Sequence, residues 1–321
     1  MEVMNHLESV AKEAIDKFLK PIDTNWQPTD LLPDSSILDT FFEKVRALQE
    51  QAKGLSYDLL AVLVGDTITE EALPTYESWI MGIEGINGQS EDNGWKQWTR
   101  LWTAEENRHG DVLNKYLYLS GRINMREMET STQYLIADGF DIKTGNDPYR
   151  NFVYTSFQEL ATNISHRRVA SLAKKEGDGL LSRICGIVAA DEARHAKAYM
   201  TFIKHIFEVD PSQMMLAFED MMRKKIVMPA HFLRETGQQT GALWGHFTDA
   251  AQRLGVYTAM DYASILRELL VEWNIQSLTG LDGAAEKARD YVMRLPDRLE
   301  RIAERIETPR LEYEFKWIAV N

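Results

Sequence analysis

The sequence predicts an all-α protein, a long helical bundle with extra peripheral helices. Three observations carry that expectation. Prolines and glycines are few, 9 and 19 in 321 residues, and they cluster. Between the clusters, apolar residues recur at helical rather than strand period. No convincing run of strand alternation appears before the C-terminus.

The first helix is expected over 5–19, where Leu7, Val10, Ala11, Ala14, Ile15 and Phe18 share one face. Pro21, Pro28 and Pro33 make 21–36 an extended connector. Ile37, Phe41, Phe42, Val45 and Leu48 suit a helix over 37–52. Helical spacing continues through 56–84, 95–119, 125–138, 149–176 and 178–207, then 211–235, 243–254, 258–272 and 283–306. Gly and Asn clusters interrupt it at 85–94, 139–147 and 237–242. The aromatic and β-branched segment Leu311 to Val320 is read as a short hairpin or extended tail. One domain is expected over 1–321, with a bundle core over about 37–207, peripheral helices over 208–306 and a tail over 307–321.

Composition excludes several function classes. Charged residues are 26% and apolar ones 44%, with 8 Trp, 12 Tyr and 12 Phe, which no disordered chain carries. The longest clean apolar run, Leu59 to Gly65, is far short of the roughly 20 residues a membrane span needs. Glu2, Glu8 and Lys12 leave no signal-peptide core at the N-terminus, so a soluble protein of a bacterial cytoplasm is expected, or a processed enzyme of the plastid stroma. Cys185 is alone, so neither an internal disulfide nor a Cys-rich metal site is available. A net charge of −13 argues against nucleic acid as a partner.

Two segments carry chemistry. Residues 105–109 read Glu-Glu-Asn-Arg-His and residues 191–195 read Asp-Glu-Ala-Arg-His. Their shared core is Glu-x-x-His, at Glu106/His109 and Glu192/His195. On a helix this spacing points a carboxylate and an imidazole the same way, a half-site for a first-row transition metal. A dinuclear site needs one further Glu from each of two more helices. Glu70 lies 36 residues before Glu106, and Glu159 lies 33 before Glu192. Four carboxylates neutralise two ferrous ions, which makes burial tolerable. Glu71 and Glu77 compete with Glu70 for the ligand position. Carboxylate and histidine without thiolate favour iron or manganese over zinc, with oxygen chemistry. Arg108 and Arg194 pair with Asp191 or Glu105 behind the ligands, or form surface salt bridges. Pro74 cannot donate to the Glu70 carbonyl, so a kink is expected there, either opening a channel or merely bending the helix.

At these residues the chain resembles the soluble acyl-[acyl-carrier-protein] (ACP) desaturases of the stearoyl-ACP type. The likeness runs from about Asn25 to the tail. It includes Asn25-Trp26-Gln27-Pro28, the stretch Val64 to Tyr76, Trp102 to Gly110, Tyr154 to Glu159, Ala189 to His195, Met221 to Lys225 and Gln252 to Tyr257. The resemblance implies a homodimer of ferritin-like bundles with two irons per chain, held by Glu70, Glu106, His109, Glu159, Glu192 and His195. It implies insertion of a cis double bond into a saturated chain carried on ACP, using O₂ and two electrons from ferredoxin. Thr162 matches the family's threonine near the oxygen site and is a candidate proton relay, although a helical threonine commonly bonds its own i−4 carbonyl. Trp26, Asp191 and His109 match an electron route from the surface, and Trp26 equally suits an anchor for the connector.

One departure stands out. The segment from Glu70 to Glu106 is about two residues shorter than in the stearoyl-type plant enzymes. Within it Trp79 stands where they have a smaller apolar residue, with Gly82 and Ile83 beyond. These positions, with Ile142, Thr144, Asn151 and Phe152, resemble those lining the acyl pocket. For docking of acidic ACP there are two basic features, Arg223-Lys224-Lys225 and the stripe Arg294, Arg298, Arg301 and Arg305. Glu300, Glu304 and Glu307 interleave with the stripe, so a solvated helix face is the competing reading. An iron-storage ferritin, a ribonucleotide reductase small subunit and a hydroxylating di-iron oxygenase are the alternatives. The second would place a radical tyrosine about one turn after the first ligand histidine, where this chain has Leu113, with Tyr116 a turn further on.

Overall fold

The computed structural model of the chain describes residues 2–310 and 312–319. Two short helices, α1 (Glu2–His6) and α2 (Glu8–Phe18), precede a connector holding two 3₁₀ turns, Ile22–Thr24 and Pro28–Asp30. Then come α3 (Leu38–Ala52), α4 (Tyr57–Glu71), α5 (Leu73–Met81), α6 (Gly94–Ser120), α7 (Met125–Asp138), α8 (Pro148–Lys175) and α9 (Gly179–Val209). α10 (Pro211–Lys224), α11 (Trp244–Leu254), α12 (Ala259–Glu272) and α13 (Gly283–Ala303) complete the chain. The architecture is an all-α, ferritin-like bundle with peripheral helices.

Local chemistry sets the ends of the long helices. The Asn93 side chain accepts from Trp95 and Lys96 N–H and starts α6. Asp147 caps α8 with Pro148 in its first turn, and Asp178 caps α9. Gly177, with φ of +95°, makes the tight turn that folds α9 back along α8. α4 runs against α6, and these two with α8 and α9 form the bundle. From Leu59 to Gly65 every α4 residue is buried, as expected of a helix apolar all round. Gly65 leaves room for the Phe247 ring of α11, which a Cβ there would approach to 2.1 Å and have to displace. α10 and α12 pack on α8, and α13 packs on both of them.

The structure corrects three expected elements. The helix over 56–84 breaks at Ala72, where Pro74 cannot bond the Glu70 carbonyl, and the Tyr76 hydroxyl ties the break by donating to the Thr69 carbonyl at 3.2 Å. The helix over 211–235 stops at Lys224, where Lys225 leaves helical backbone with a φ of +63°, and Met228 is extended before a 3₁₀ turn at Pro229–Phe232. The tail forms no hairpin among the described residues. It makes a single antiparallel bridge, Ile123 to Ile318, and the bundle satisfies its backbone. Glu235 accepts from Lys316 N–H at 2.6 Å, Arg122 carbonyl accepts from Ala319 N–H at 3.0 Å, and fully buried Trp317 donates its indole N–H to Ser131 at 2.8 Å.

Candidate metal centre

Four helices converge on one buried cluster. α4 contributes Glu70, α6 Glu106 and His109, α8 Glu159, and α9 Glu192 and His195. Donor atoms of Glu70, Glu106, His109 and Glu192 lie within 4.8 Å of one another, as do those of Glu106, Glu159, Glu192 and His195. The two four-residue groups overlap, sharing Glu106 and Glu192. His109 Nδ1 is 2.9 Å from Glu192 Oε1, and His195 Nδ1 is 2.5 Å from Glu106 Oε1. Even so, both Nδ1 atoms, Glu106 Oε1, Glu159 Oε2 and Glu192 Oε1 are buried without a hydrogen-bond partner. Buried polar atoms are rarely left so, and lone pairs aimed at one another are what a cation satisfies. Glu71 turns away, accepting from Asn114 Nδ2 at 2.6 Å and from Thr132 Oγ1 at 3.3 Å.

Protons and a cation would compete for the groups of this cluster. Burial, reinforced by the charges of Glu106 and Glu192, pushes the Glu159 carboxyl well above the usual range. Burial also raises Glu70, partly offset by a hydrogen bond with His166. For Glu106 burial acts upward, but the charges of His109 and His195 outweigh it and hold the group low. His195 is depressed by burial and lifted further by Glu106 and Glu105, to about 9. Cations binding here would displace those protons.

The acids one residue before each Glu-x-x-His motif reach across to the other motif. Glu105 Oε2 accepts from His195 Nε2 at 2.9 Å, and Asp191 Oδ2 lies 3.5 Å from His109 Nε2. Arg194 joins the two, with Nη2 at 2.8 Å from Glu105 and 2.6 Å from Asp191. Arg108 is buried, donates to the Trp26 carbonyl at 2.9 Å and packs on the Trp26 ring. The arginines therefore belong to an interior network behind the ligands. Trp26 donates its indole N–H to Asp191 at 2.8 Å, and its ring stacks on His109 with centroids 6.2 Å apart. Trp26, Asp191 and His109 thus form a contiguous chain from the partly exposed connector to the cluster. The Thr162 hydroxyl has its shortest contact with Glu192 Oε2, at 2.5 Å, and also reaches its own i−4 carbonyl, Gln158, at 3.2 Å.

A cavity of about 790 Å³ touches the cluster. Glu70, Glu106, Glu159, Thr162 and Glu192 line its inner end, and Arg223, Tyr291, Arg298 and Ile302 line its outer part. Its walls between are apolar, from Met222, Ile226, Phe247 and Leu295 among others. None of the seven residues expected at the acyl pocket lines this space. Trp79 stands behind the lining residue Tyr76, edge-on to it at 5.7 Å and to Phe140 at 4.5 Å. Gly82 ends α5, and Ile83 and Ile142 are buried. Thr144 and Asn151 bond each other at 3.2 Å and close the loop before α8. Phe152 packs among Trp95, Tyr199 and Phe202.

The profile of the family described as fatty acid desaturase matches residues 1–319. The chain belongs to the fatty acid desaturase family. Among the desaturases similar to it are the acyl-ACP desaturase of Cucumis sativus and the stearoyl-ACP 9-desaturase of Ricinus communis, both chloroplastic. Each is 50% identical over 323 residues, covering 99% of this chain and 81% of the relative. The palmitoyl-ACP 4-desaturase 3 of Ophrys sphegodes is 48% identical over 309 residues, covering 96% of this chain and 77% of that desaturase. In fold the chain is similar to DesA2 of Mycobacterium tuberculosis, solved as a candidate acyl-ACP desaturase. The TM-score is 0.53 at 16% identity, over 90% of this chain and 99% of that one. Family membership sets aside the ferritin and ribonucleotide reductase alternatives. Tyr116 is committed elsewhere in any case, its hydroxyl bonded to Asp178 at the start of α9.

Sequence reasoning missed His166. Its Nε2 lies 2.9 Å from Glu70 Oε1. The signal was available, since His166 follows Glu159 by seven residues and Thr162 by four on one helix face. It also missed the crosswise pairing of Glu105 with His195, which helix spacing alone cannot express.

Proposed function

We propose that the protein is an O₂-dependent desaturase that inserts a cis double bond into a saturated acyl chain carried on ACP. The observation that carries this reading is the apolar cavity running from the surface to the carboxylate–histidine cluster. The similar desaturases are named for acyl chains carried on ACP. Glu70, Glu106, His109, Glu159, Glu192 and His195 would hold two iron ions, the carboxylates balancing their charge. Bound there, iron supplies the two-electron oxidising chemistry with O₂ that an unactivated methylene pair requires.

The chain's own residues do the rest. The apolar walls extend the acyl chain past the cluster and exclude water. Thr162 Oγ1 is placed to hold or pass a proton beside Glu192. Glu105 fixes the His195 ring so that its Nδ1 faces inward, and Asp191 lies 3.5 Å behind His109 Nε2. Trp26, Asp191 and His109 are the proposed path for electrons from ferredoxin. Arg223 and Arg298 at the cavity's outer part are the proposed docking point for acidic ACP. Of the seven expected pocket residues, only Trp79 is proposed to act on the cavity, by bracing the lining residue Tyr76 from behind. The active form is proposed to be a homodimer whose whole chain is one domain. Its compartment is proposed to be one that contains ACP, bacterial cytoplasm or plastid stroma.

Relatives of nearly equal similarity bear the names of a 9-desaturase and a 4-desaturase, so similarity alone does not fix the bond position. The test supplies saturated C14 to C18 acyl-ACPs, ferredoxin, its reductase and O₂, and locates the double bond by mass-spectral fragmentation. A single cis-unsaturated product is expected. A hydroxylated product, or none from iron-loaded protein, would refute the reading.

A further inference from the structure

The cluster has a second approach. A cleft of about 520 Å³ lies between the α4–α5 break and α6, lined by Glu70, Leu73, Pro74, Thr103 and Asn107 among others. The acyl cavity reaches the cluster from the side of α8, α12 and α13. Only Glu70 and Leu73 line both spaces, so these two side chains are the partition between them.

The cleft follows from the break at Ala72. Past Glu71 the chain restarts as α5, which still packs on α6 but with the helical ladder interrupted at Ala72. At its inner edge α6 approaches closely through Gly110, where a Cβ would come within 3.2 Å of the Glu70 carbonyl carbon. The two spaces differ in character. The cleft is edged by Glu71, Glu77, Arg100 and Asp111, whereas the acyl cavity is mostly apolar. The hydroxyl of Thr103 is buried in its wall without a partner, a group suited to bonding a passing water.

We infer that this cleft is the route by which O₂ enters and product water leaves while the acyl chain fills the main cavity. The inference rests on the desaturase reading. In each turnover the acyl chain loses two hydrogens and the donor gives two electrons, with two protons from solvent. One O₂ then becomes two waters. The chain occupies the main cavity throughout, and a carrier docked at Arg298 covers its outer end. A small gas and water therefore need a second opening, and the cleft at Glu70 supplies one on the opposite wall.

Nitric oxide tests this as an O₂-sized probe of iron(II)-loaded protein, with its association followed spectroscopically in a stopped flow. Thr103→Phe narrows the cleft from within, and Asn107→Trp covers it from the exposed rim. Iron content and acyl-ACP affinity are measured on the same preparations. Without acyl-ACP both variants are expected to match the wild type, because the main cavity is open. With stearoyl-ACP saturating, nitric oxide association is expected to slow about tenfold or more in at least one variant. The KM for O₂ should rise with it while the KM for acyl-ACP stays put. Wild-type rates in both variants under saturating stearoyl-ACP would overturn the route. Wild-type protein that binds no iron or no acyl-ACP would instead overturn the desaturase reading on which the route rests.

Discussion

Glu105→Gln changes one atom behind the cluster and should disable the ligand in front of it. The Glu105 carboxylate receives four donors. Lys20 N–H at 2.6 Å and Asn25 Nδ2 at 3.0 Å reach Oε1, while Arg194 Nη2 at 2.8 Å and His195 Nε2 at 2.9 Å reach Oε2. Burial alone would raise this carboxyl. The hydrogen bonds from His195, Lys20 and Arg194 outweigh it and hold Glu105 below the usual range. Glutamine can accept at one end only. With its amide nitrogen toward His195, it meets two donors, and the imidazole must move its proton to Nδ1, the atom that faces the metal position. With the nitrogen toward Lys20, it meets a backbone N–H that cannot accept and an Asn25 whose Oδ1 already accepts from Trp26 N–H at 2.9 Å.

Either way two charge-assisted bonds are lost, each worth about 1.5–3 kcal/mol. Only the first orientation takes the acceptor from His195, and loss of such an outer partner lowers metal affinity about 10–100-fold. The assay is iron competition against a chelator, read by absorbance, with unfolding by denaturant as the control on stability. Iron retained at wild-type affinity with unchanged turnover would refute the tautomer reasoning. Iron affinity falling in step with global unfolding would refute the claim that the effect is local to His195.

Gly65→Ala places a methyl 2.1 Å from the Phe247 ring and should cost about 1–3 kcal/mol, read as a lower denaturation midpoint. Asp261 is raised by burial but held below its ordinary value by Arg168, at 2.7 Å from Arg168 Nη2, and by Thr258. Its stabilisation is therefore present above the unfolded value near pH 4 and lost as pH falls through the lower folded value. Asp261→Asn should cost about 2 kcal/mol at pH 7, a difference that shrinks in thermal scans below about pH 4. Trp79→Ala removes the brace behind Tyr76 and should shift product analysis toward longer acyl chains, at a stability cost of about 2–4 kcal/mol. An unchanged chain-length profile would place the pocket floor elsewhere. Arg298→Glu should raise the KM for acyl-ACP several-fold at low salt and flatten its salt dependence. An unchanged KM would remove Arg298 from the docking surface.

The helical bundle was legible because helix period, caps and breakers are local. Asn93, Asp147, Asp178 and the run Leu59 to Gly65 act within a few residues of themselves. Four of the six candidate ligands were legible because Glu-x-x-His spacing puts two donors on one helix face without reference to any other helix, whereas Glu159 and Glu70 were read from the preceding helices, with Glu71 and Glu77 still competing until packing turned Glu71 toward Asn114. Where local signals competed, the reading of the sequence overran. Helical spacing continues past Glu71 and Lys224, but the missing proline N–H at Pro74 and the positive φ of Lys225 end those helices. The tail resembled a hairpin, but its aromatic residues found deeper burial, and its N–H groups better acceptors, on the bundle than on a second strand. The crosswise pairs Glu105–His195 and Asp191–His109, the inward turn of His166 to Glu70, and the two spaces divided by Glu70 and Leu73 depend on how helices distant in sequence face one another. Spacing along one helix decides which side chains share a face, and only packing decides what that face meets.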